Sequence, residues 1–138
     1  PDEVVGQDGE GFRIAMGVLD AGRIGIASQA VGLARAAYKA AVAYVKERKS
    51  FGQPVGSFQM IQAKIADMKC RLDAAEILTL RAAWAKAEAE KVGGRFSTEA
   101  SVAKLTASEA AMYITHQALP RKQANPHLTR QIRQQSAQ

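Results

Sequence analysis

One cysteine, two histidines and eight aromatic side chains are all that 138 residues hold of those types, and each scarcity excludes something. Cys70 alone permits no intramolecular disulfide, and with His116 and His127 it makes too small a set to hold zinc. A metal-free chain of an intracellular compartment is expected. Charged residues interrupt every apolar stretch well before the ~18 residues of a membrane-spanning helix, and no basic-then-apolar leader opens the sequence. A Gly-rich phosphate loop, a Cys-x-x-Cys pair and a Ser-His-Asp order are absent too, so the chain carries no complete catalytic site and no catalytic residue is assigned.

What is present favours helices. Hydrophobic residues make up 47% and aromatics only 6%, which suits Ala-, Leu- and Ile-rich helices better than a β-sandwich. The length allows one core and is too short for an enzyme with separate cofactor and substrate domains. Pro1, Asp2 and Glu3, followed by Gly6, Gly9 and Gly11, have the composition of an interdomain linker, so residues 1–10 are expected to join this domain to a preceding one and the chain to be a fragment. The net charge of +6 is concentrated at the far end, where residues 120–138 contain Arg121, Lys122, Arg130 and Arg133 and no acid. The remaining balance is ordinary for a solvated helical surface, and a tail without interleaved aromatics lacks a stacking platform for nucleic acid.

No proline occurs from Gly11 to Lys49, and Ile24, Ala27, Val31, Ala34, Tyr38, Ala41, Val42 and Val45 recur at helical spacing, which predicts a long first helix. A second line, Ile26, Ala30, Leu33, Ala37, Ala40 and Tyr44, makes that helix apolar on two sides, so it is expected to pack between neighbours and bury one side against another domain or subunit. Gly22 and Gly25 mark a potential kink or close approach. Residues 50–57 concentrate Gly and Pro and predict a loop between antiparallel helices, with Ser57 as N-cap of the second. Phe58, Ile61, Ile65, Met68, Leu72 and Ala75 carry that helix towards Lys91, Gly93-Gly94 ends it, and Ser97 with Glu99 starts a third faced by Ala103, Ala107, Ala110, Ile114 and Ala118. Core packing alone explains these stripes. Beyond Leu119 two prolines and five glutamines replace the apolar period, and residues 120–138 are expected to be a divergent, disordered tail.

The sharpest local feature is Glu47-Arg48-Lys49-Ser50-Phe51-Gly52. The helix dipole accounts for cations at a C-terminus but not for Phe51, and an arginine with an aromatic at a helix-to-loop corner can hold a pyrophosphate and cover a ring. The order and spacing of Gly9-Glu10-Gly11-Phe12, Leu19-Asp20-Ala21-Gly22-Arg23-Ile24, Ala30-Val31-Gly32-Leu33-Ala34, Arg48-Lys49-Ser50-Phe51-Gly52-Gln53-Pro54, Phe58-Gln59 and Ala103-Lys104-Leu105-Thr106-Ala107 go further. From the start of the chain to Leu119 it resembles the C-terminal domain of acyl-CoA dehydrogenases, nearest the short-chain (butyryl) branch.

That resemblance implies an all-α, up-and-down bundle whose first three long helices are residues 11–119 and whose fourth is missing or replaced. It implies a homotetramer, FAD as cofactor, acyl-CoA as substrate and an electron-transfer flavoprotein as redox partner, in a bacterial cytoplasm or a mitochondrial matrix. The positions matching the family's flavin contacts are Arg48, Phe51 and Gln59. Those matching its contacts to the CoA portion are Asp20 and Arg23, which also suit a simple i, i+3 ion pair. After Leu119, where relatives continue with a Gly-Gly turn, a fourth helix and a Glu-Gly-Thr motif holding the catalytic base, Pro120-Arg121-Lys122-Gln123 begins something unrelated. Another branch carries its base on the first helix, where this sequence has Gly22. The parent reaction is α,β-dehydrogenation of a short or medium acyl-CoA, and this chain alone is expected to be inactive. The competing expectation is a non-catalytic helical module that assembles with full-length dehydrogenase subunits.

Overall fold

A computed structural model describes residues 5–119. The tail predicted at 120–138 and the first four residues of the expected linker lie outside the described residues. Three α-helices account for nearly everything in between: α1 (Gly11–Glu47), α2 (Gln59–Val92) and α3 (Ser97–Ala118). α1 runs unbroken through Gly22 and Gly25, and no side chain approaches the space a Cβ would occupy at either, so neither glycine serves a close approach within this chain. It ends at Glu47, where Arg48 turns extended while its N–H still donates to the Tyr44 carbonyl at 2.9 Å.

The expected loop is more ordered than its composition suggests. Lys49–Ser50 (β1) and Gln53–Pro54 (β2) pair antiparallel, Lys49 opposite Pro54 and Ser50 opposite Gln53, and a 3-10 turn over Val55–Ser57 leads into α2. That turn displaces the expected cap. Ser57 lies inside it, Phe58 is the N-cap, and the Phe58 carbonyl accepts the first helical N–H groups from Ile61 and Gln62. At the other end of α2, Gly93 takes the left-handed conformation (φ 72°) that lets it and Gly94 donate to the Ala89 carbonyl.

The helices alternate in direction. Arg35 of α1 pairs with Glu76 of α2 at 2.5 Å, Arg71 of α2 stacks over the Tyr113 ring of α3 at 4.1 Å, and Asp20 near the start of α1 meets Ser97 at the start of α3. α1 and α3 are therefore parallel, with α2 antiparallel to both. The core is mostly methyl groups: Ala27, Ala34, Ala75, Ala82, Ala100, Ala103 and Ala107 are completely buried, and only Met68 and Ile114 among the larger side chains are. Small residues let the helix backbones approach closely, and α1 packs more extensively on α3 than on α2. Most of the residues expected to face inward do so: Ile24, Val31, Ala41, Met68, Leu72 and Ala110 join this core. Ile61 and Ile65 are only half-buried, beside an open cavity at the last turn of α3.

Of the second apolar face expected on α1, Ala30 and Ala37 pack against the core and the rest stands exposed. Phe12, Leu19, Ile26 and Leu33, each seven residues from the last, are exposed, as are Ala40 and Tyr44. Seven residues are nearly two full turns, so the four form one continuous stripe. Three helices cover only one side of α1.

Tyr113 ties α3 to α2 through charge as well as packing. Its hydroxyl is the largest influence on Asp67, and with the charge and hydrogen bond of Arg71 (3.1 Å) it outweighs partial burial and holds the carboxyl below its ordinary value. The neighbouring Asp67 carboxylate, with burial, raises the Tyr113 hydroxyl above its ordinary value. A lowered carboxyl stabilises the fold above about pH 4 and loses that contribution as pH falls through the native value; a raised phenol stabilises below about pH 10 and loses it as pH rises further. Tyr113→Phe should therefore flatten the pH dependence of the urea midpoint at both ends, below pH 4 and above pH 10, relative to the unaltered chain.

Candidate functional site

Two groups of the residues expected to act in binding are assembled by different parts of the fold. The first lies at the end of α1. Arg48 has its backbone fully engaged: its N–H bonds Tyr44 and its carbonyl accepts from Val55 at 2.8 Å, which closes the hairpin. Its side chain is exposed, and none of the described ion pairs engages it. Gln62 fixes the neighbouring turn by donating from Nε2 to the Gly56 carbonyl at 3.1 Å, and Gln59 stands exposed at the first position of α2.

Phe51 is the anomaly of this corner. It and Gly52 are the two loop residues of the hairpin, with φ of 51° and 81°, the left-handed pair that normally selects Asn-Gly. A non-glycine residue held there costs of the order of 1–3 kcal/mol. Burial does not offset it, since Phe51 is 94% exposed and touches only the edge of Phe58, ring centroids 6.3 Å apart at 83°. A strained backbone here holds a large aromatic out in solvent, a local conflict with no benefit to this fold. Phe58 adjoins Gln59, so the hairpin and the turn gather Arg48, Phe51 and Gln59 on one corner.

The second group is at the opposite end of the bundle. The Asp20 carboxylate, only 7% exposed, accepts from Arg23 through one oxygen and from the Ser97 hydroxyl through the other. Asp20 and Arg23 thus do form the i, i+3 pair their spacing allows, and Arg23 remains about one-third exposed. Ser97 was legible only as the start of α3; a partner 77 residues away leaves no local signal. From Arg23 to Glu47 is 24 residues of uninterrupted helix, about 36 Å at 1.5 Å per residue. One chain does not bring the two groups together.

Two open cavities flank the Arg48 corner where α3 stops. One, of about 320 Å³, is lined by Tyr44, Ile61, Met68, His116 and Leu119; the other, of about 550 Å³, by Tyr38, Val45, Gly56, Gln62 and Ile65. Sequence periodicity gave no warning of them, because it places Ile61 and Ile65 on the core face without saying how far α3 extends. No cluster of metal-ligating side chains occurs among the described residues, and no helix among them is long and apolar enough to cross a membrane.

The family profile described as the acyl-CoA dehydrogenase C-terminal domain matches residues 9–120. The chain belongs to the acyl-CoA dehydrogenase family. It is 52% identical over 118 residues to the mitochondrial short-chain specific acyl-CoA dehydrogenase of Bos taurus, covering 86% of this chain and 28% of that protein. The short-chain specific acyl-CoA dehydrogenase of Megasphaera elsdenii is 46% identical over the same length, which is 30% of it. The butyryl-CoA dehydrogenase structure from Megasphaera elsdenii superposes with a TM-score of 0.75 at 46% identity, over 82% of this chain and 28% of that one. The chain therefore spans under a third of the length of these dehydrogenases, and within that third the helical architecture expected from the motifs is present.

If Phe51 is kept for a partner and not for the fold, relieving its strain should not destabilise the chain. Phe51→Asn is expected to leave the urea-unfolding free energy equal or higher by up to about 1 kcal/mol, the strain relieved offsetting the lost edge contact. A drop of more than about 1 kcal/mol would assign the ring to the fold.

Proposed function

We propose that this chain is the C-terminal helical portion of an FAD-dependent acyl-CoA dehydrogenase acting on short or medium acyl-CoA, and that it supplies flavin contacts, CoA contacts and an oligomer interface. The observation that carries this is the corner at the end of α1, where an uncommitted arginine stands beside an aromatic held out under strain. Arg48 fits a pyrophosphate, because its planar fork donates paired hydrogen bonds to two oxygens at once. Phe51 presents an exposed ring able to cover a flat heterocycle, and Gln59 presents an amide that donates and accepts. Bound FAD would take the substrate's β-hydrogen as hydride; the protein residues hold and orient.

At the other end, the Asp20–Arg23 pair is assigned to the CoA portion of the substrate, with the guanidinium as the outward, donating member. The separation of about 36 Å along α1 supports flavin and CoA sites completed by residues from other domains or subunits, since one active centre cannot span both ends of one helix. The exposed stripe from Phe12 to Leu33 is the surface suited to a subunit contact, with the tetramer of relatives as the expected assembly. An electron-transfer flavoprotein is the redox partner proposed for the whole enzyme. A structure concerning the electron-transferring flavoprotein of Acidaminococcus fermentans contains a chain 45% identical to this one, with a TM-score of 0.74 over 82% of this chain and 29% of that chain. The proposed compartment is a bacterial cytoplasm or a mitochondrial matrix.

Abstraction of the α-proton needs a positioned base, and Gly22, where one branch of the family carries it, has no side chain to accept a proton. The 138-residue chain is accordingly expected to produce no 2-enoyl-CoA from butyryl-CoA, whatever it binds. Titration with FAD, followed by flavin fluorescence, should show binding that Arg48→Ala weakens at least about tenfold, the equivalent of one charge-assisted hydrogen bond. Equal affinity in Arg48→Ala, or enoyl-CoA formation by the chain alone, would overturn the assignment.

A further inference from the structure

The Asp20 carboxylate is buried, and burying a charge is costly unless it is paired and hydrogen-bonded. Both its oxygens are so occupied, one by Arg23 and one by Ser97, and the two partners differ in kind. Arg23 is one turn further along the same helix and one-third exposed, with donors left over after the single bond to Asp20. Ser97 belongs to another helix, is half-buried, and sits as the first residue of α3. Its hydroxyl is not used to cap its own helix, since α3 has no side-chain cap bond at its start. It is given across the helix interface to Asp20.

We propose that Ser97 is a positioning residue: by holding the Asp20 carboxylate from α3, it fixes the carboxylate's rotation and so aims the Arg23 guanidinium outward at the phosphates of a CoA-type ligand. This rests on the assignment of Arg23 to the CoA portion of the substrate and adds to it a division of labour. Asp20, as a buried anion, is unsuited to touch a phosphate; it acts through Arg23, and Ser97 acts through Asp20. Without Ser97, the carboxylate keeps one partner on a helix that is free to present it in several rotamers, and the guanidinium follows. The arrangement also makes ligand binding at the start of α1 depend on α3 being docked, because Ser97 reaches Asp20 only when the two helix starts are adjacent.

The test uses the 138-residue chain with Ser97→Ala and Ser97→Thr, the second of which retains a hydroxyl at the same position. Two quantities are measured: the order of the Arg23 side chain, from the heteronuclear NOE of its Nε, and the affinity for coenzyme A by calorimetry. The expected result is that Ser97→Ala lowers the NOE of Arg23 and weakens coenzyme A binding about tenfold, while Ser97→Thr restores both. An Arg23 NOE unchanged in Ser97→Ala, with the helical circular dichroism intact, overturns the positioning role, as does loss of order with coenzyme A affinity within twofold of the unaltered chain. Loss of order restored by Ser97→Thr, in a chain whose unaltered form binds no coenzyme A, overturns the CoA assignment and leaves the Ser97–Asp20–Arg23 linkage supported.

Discussion

The close seam between α1 and α3 is the constraint on which the rest of this structure depends. Completely buried alanines stand on both helices, Ala27 and Ala34 on α1 and Ala100, Ala103 and Ala107 on α3, in one core with the larger Ile24, Val31 and Ile114. Such a seam tolerates little added volume, and because its contacts are small it must be continuous to be stable. Parallel alignment of α1 and α3 follows, and with it the meeting of Asp20 and Ser97 at one end. At the other end one open cavity lies beside the last turn of α3 and a second between α1 and α2.

A bundle of three helices cannot enclose a helix of 37 residues that is apolar on two sides. The stripe of Phe12, Leu19, Ile26 and Leu33, together with Leu105 and Met112 on α3 and Trp84 on α2, leaves more large apolar side chains outside than inside. The chain covers under a third of the length of the relatives it matches, and these faces stay open among the described residues. The strained hairpin has the same character. Phe51 is held out in solvent on a strained backbone, with no benefit to the described fold.

Helix content was legible because the stripes are long and regular: Ile24 through Ala41 and Met68 through Ala75 could be placed in the core from spacing alone. The helix ends were less so. Ser57 has the chemistry of an N-cap, yet a 3-10 turn nucleated by the Pro54 hairpin passes the role to Phe58, which caps with its carbonyl alone. The second face of α1 was read as apolar, and of it Ala30 and Ala37 pack on the core while Ile26 and Leu33 stay exposed. Arg48 and Phe51 stood out at the helix-to-loop corner and Gln59 only through the family resemblance, whereas the strain at Phe51 is a dihedral property that no residue type announces. Ser97 was invisible as a partner for Asp20, because contact between positions so far apart in sequence depends on the whole topology.

Native-state hydrogen exchange on the 138-residue chain tests the central place of the α1–α3 seam most directly. If that seam organises the fold, the amides of Ala27, Val31, Ala103 and Ala107 should be the slowest to exchange, opening only with global unfolding, while those of Lys49 to Ser57 and the last turns of α2 exchange earlier. Protection concentrated on α2, with α1 and α3 opening independently of each other, would contradict it.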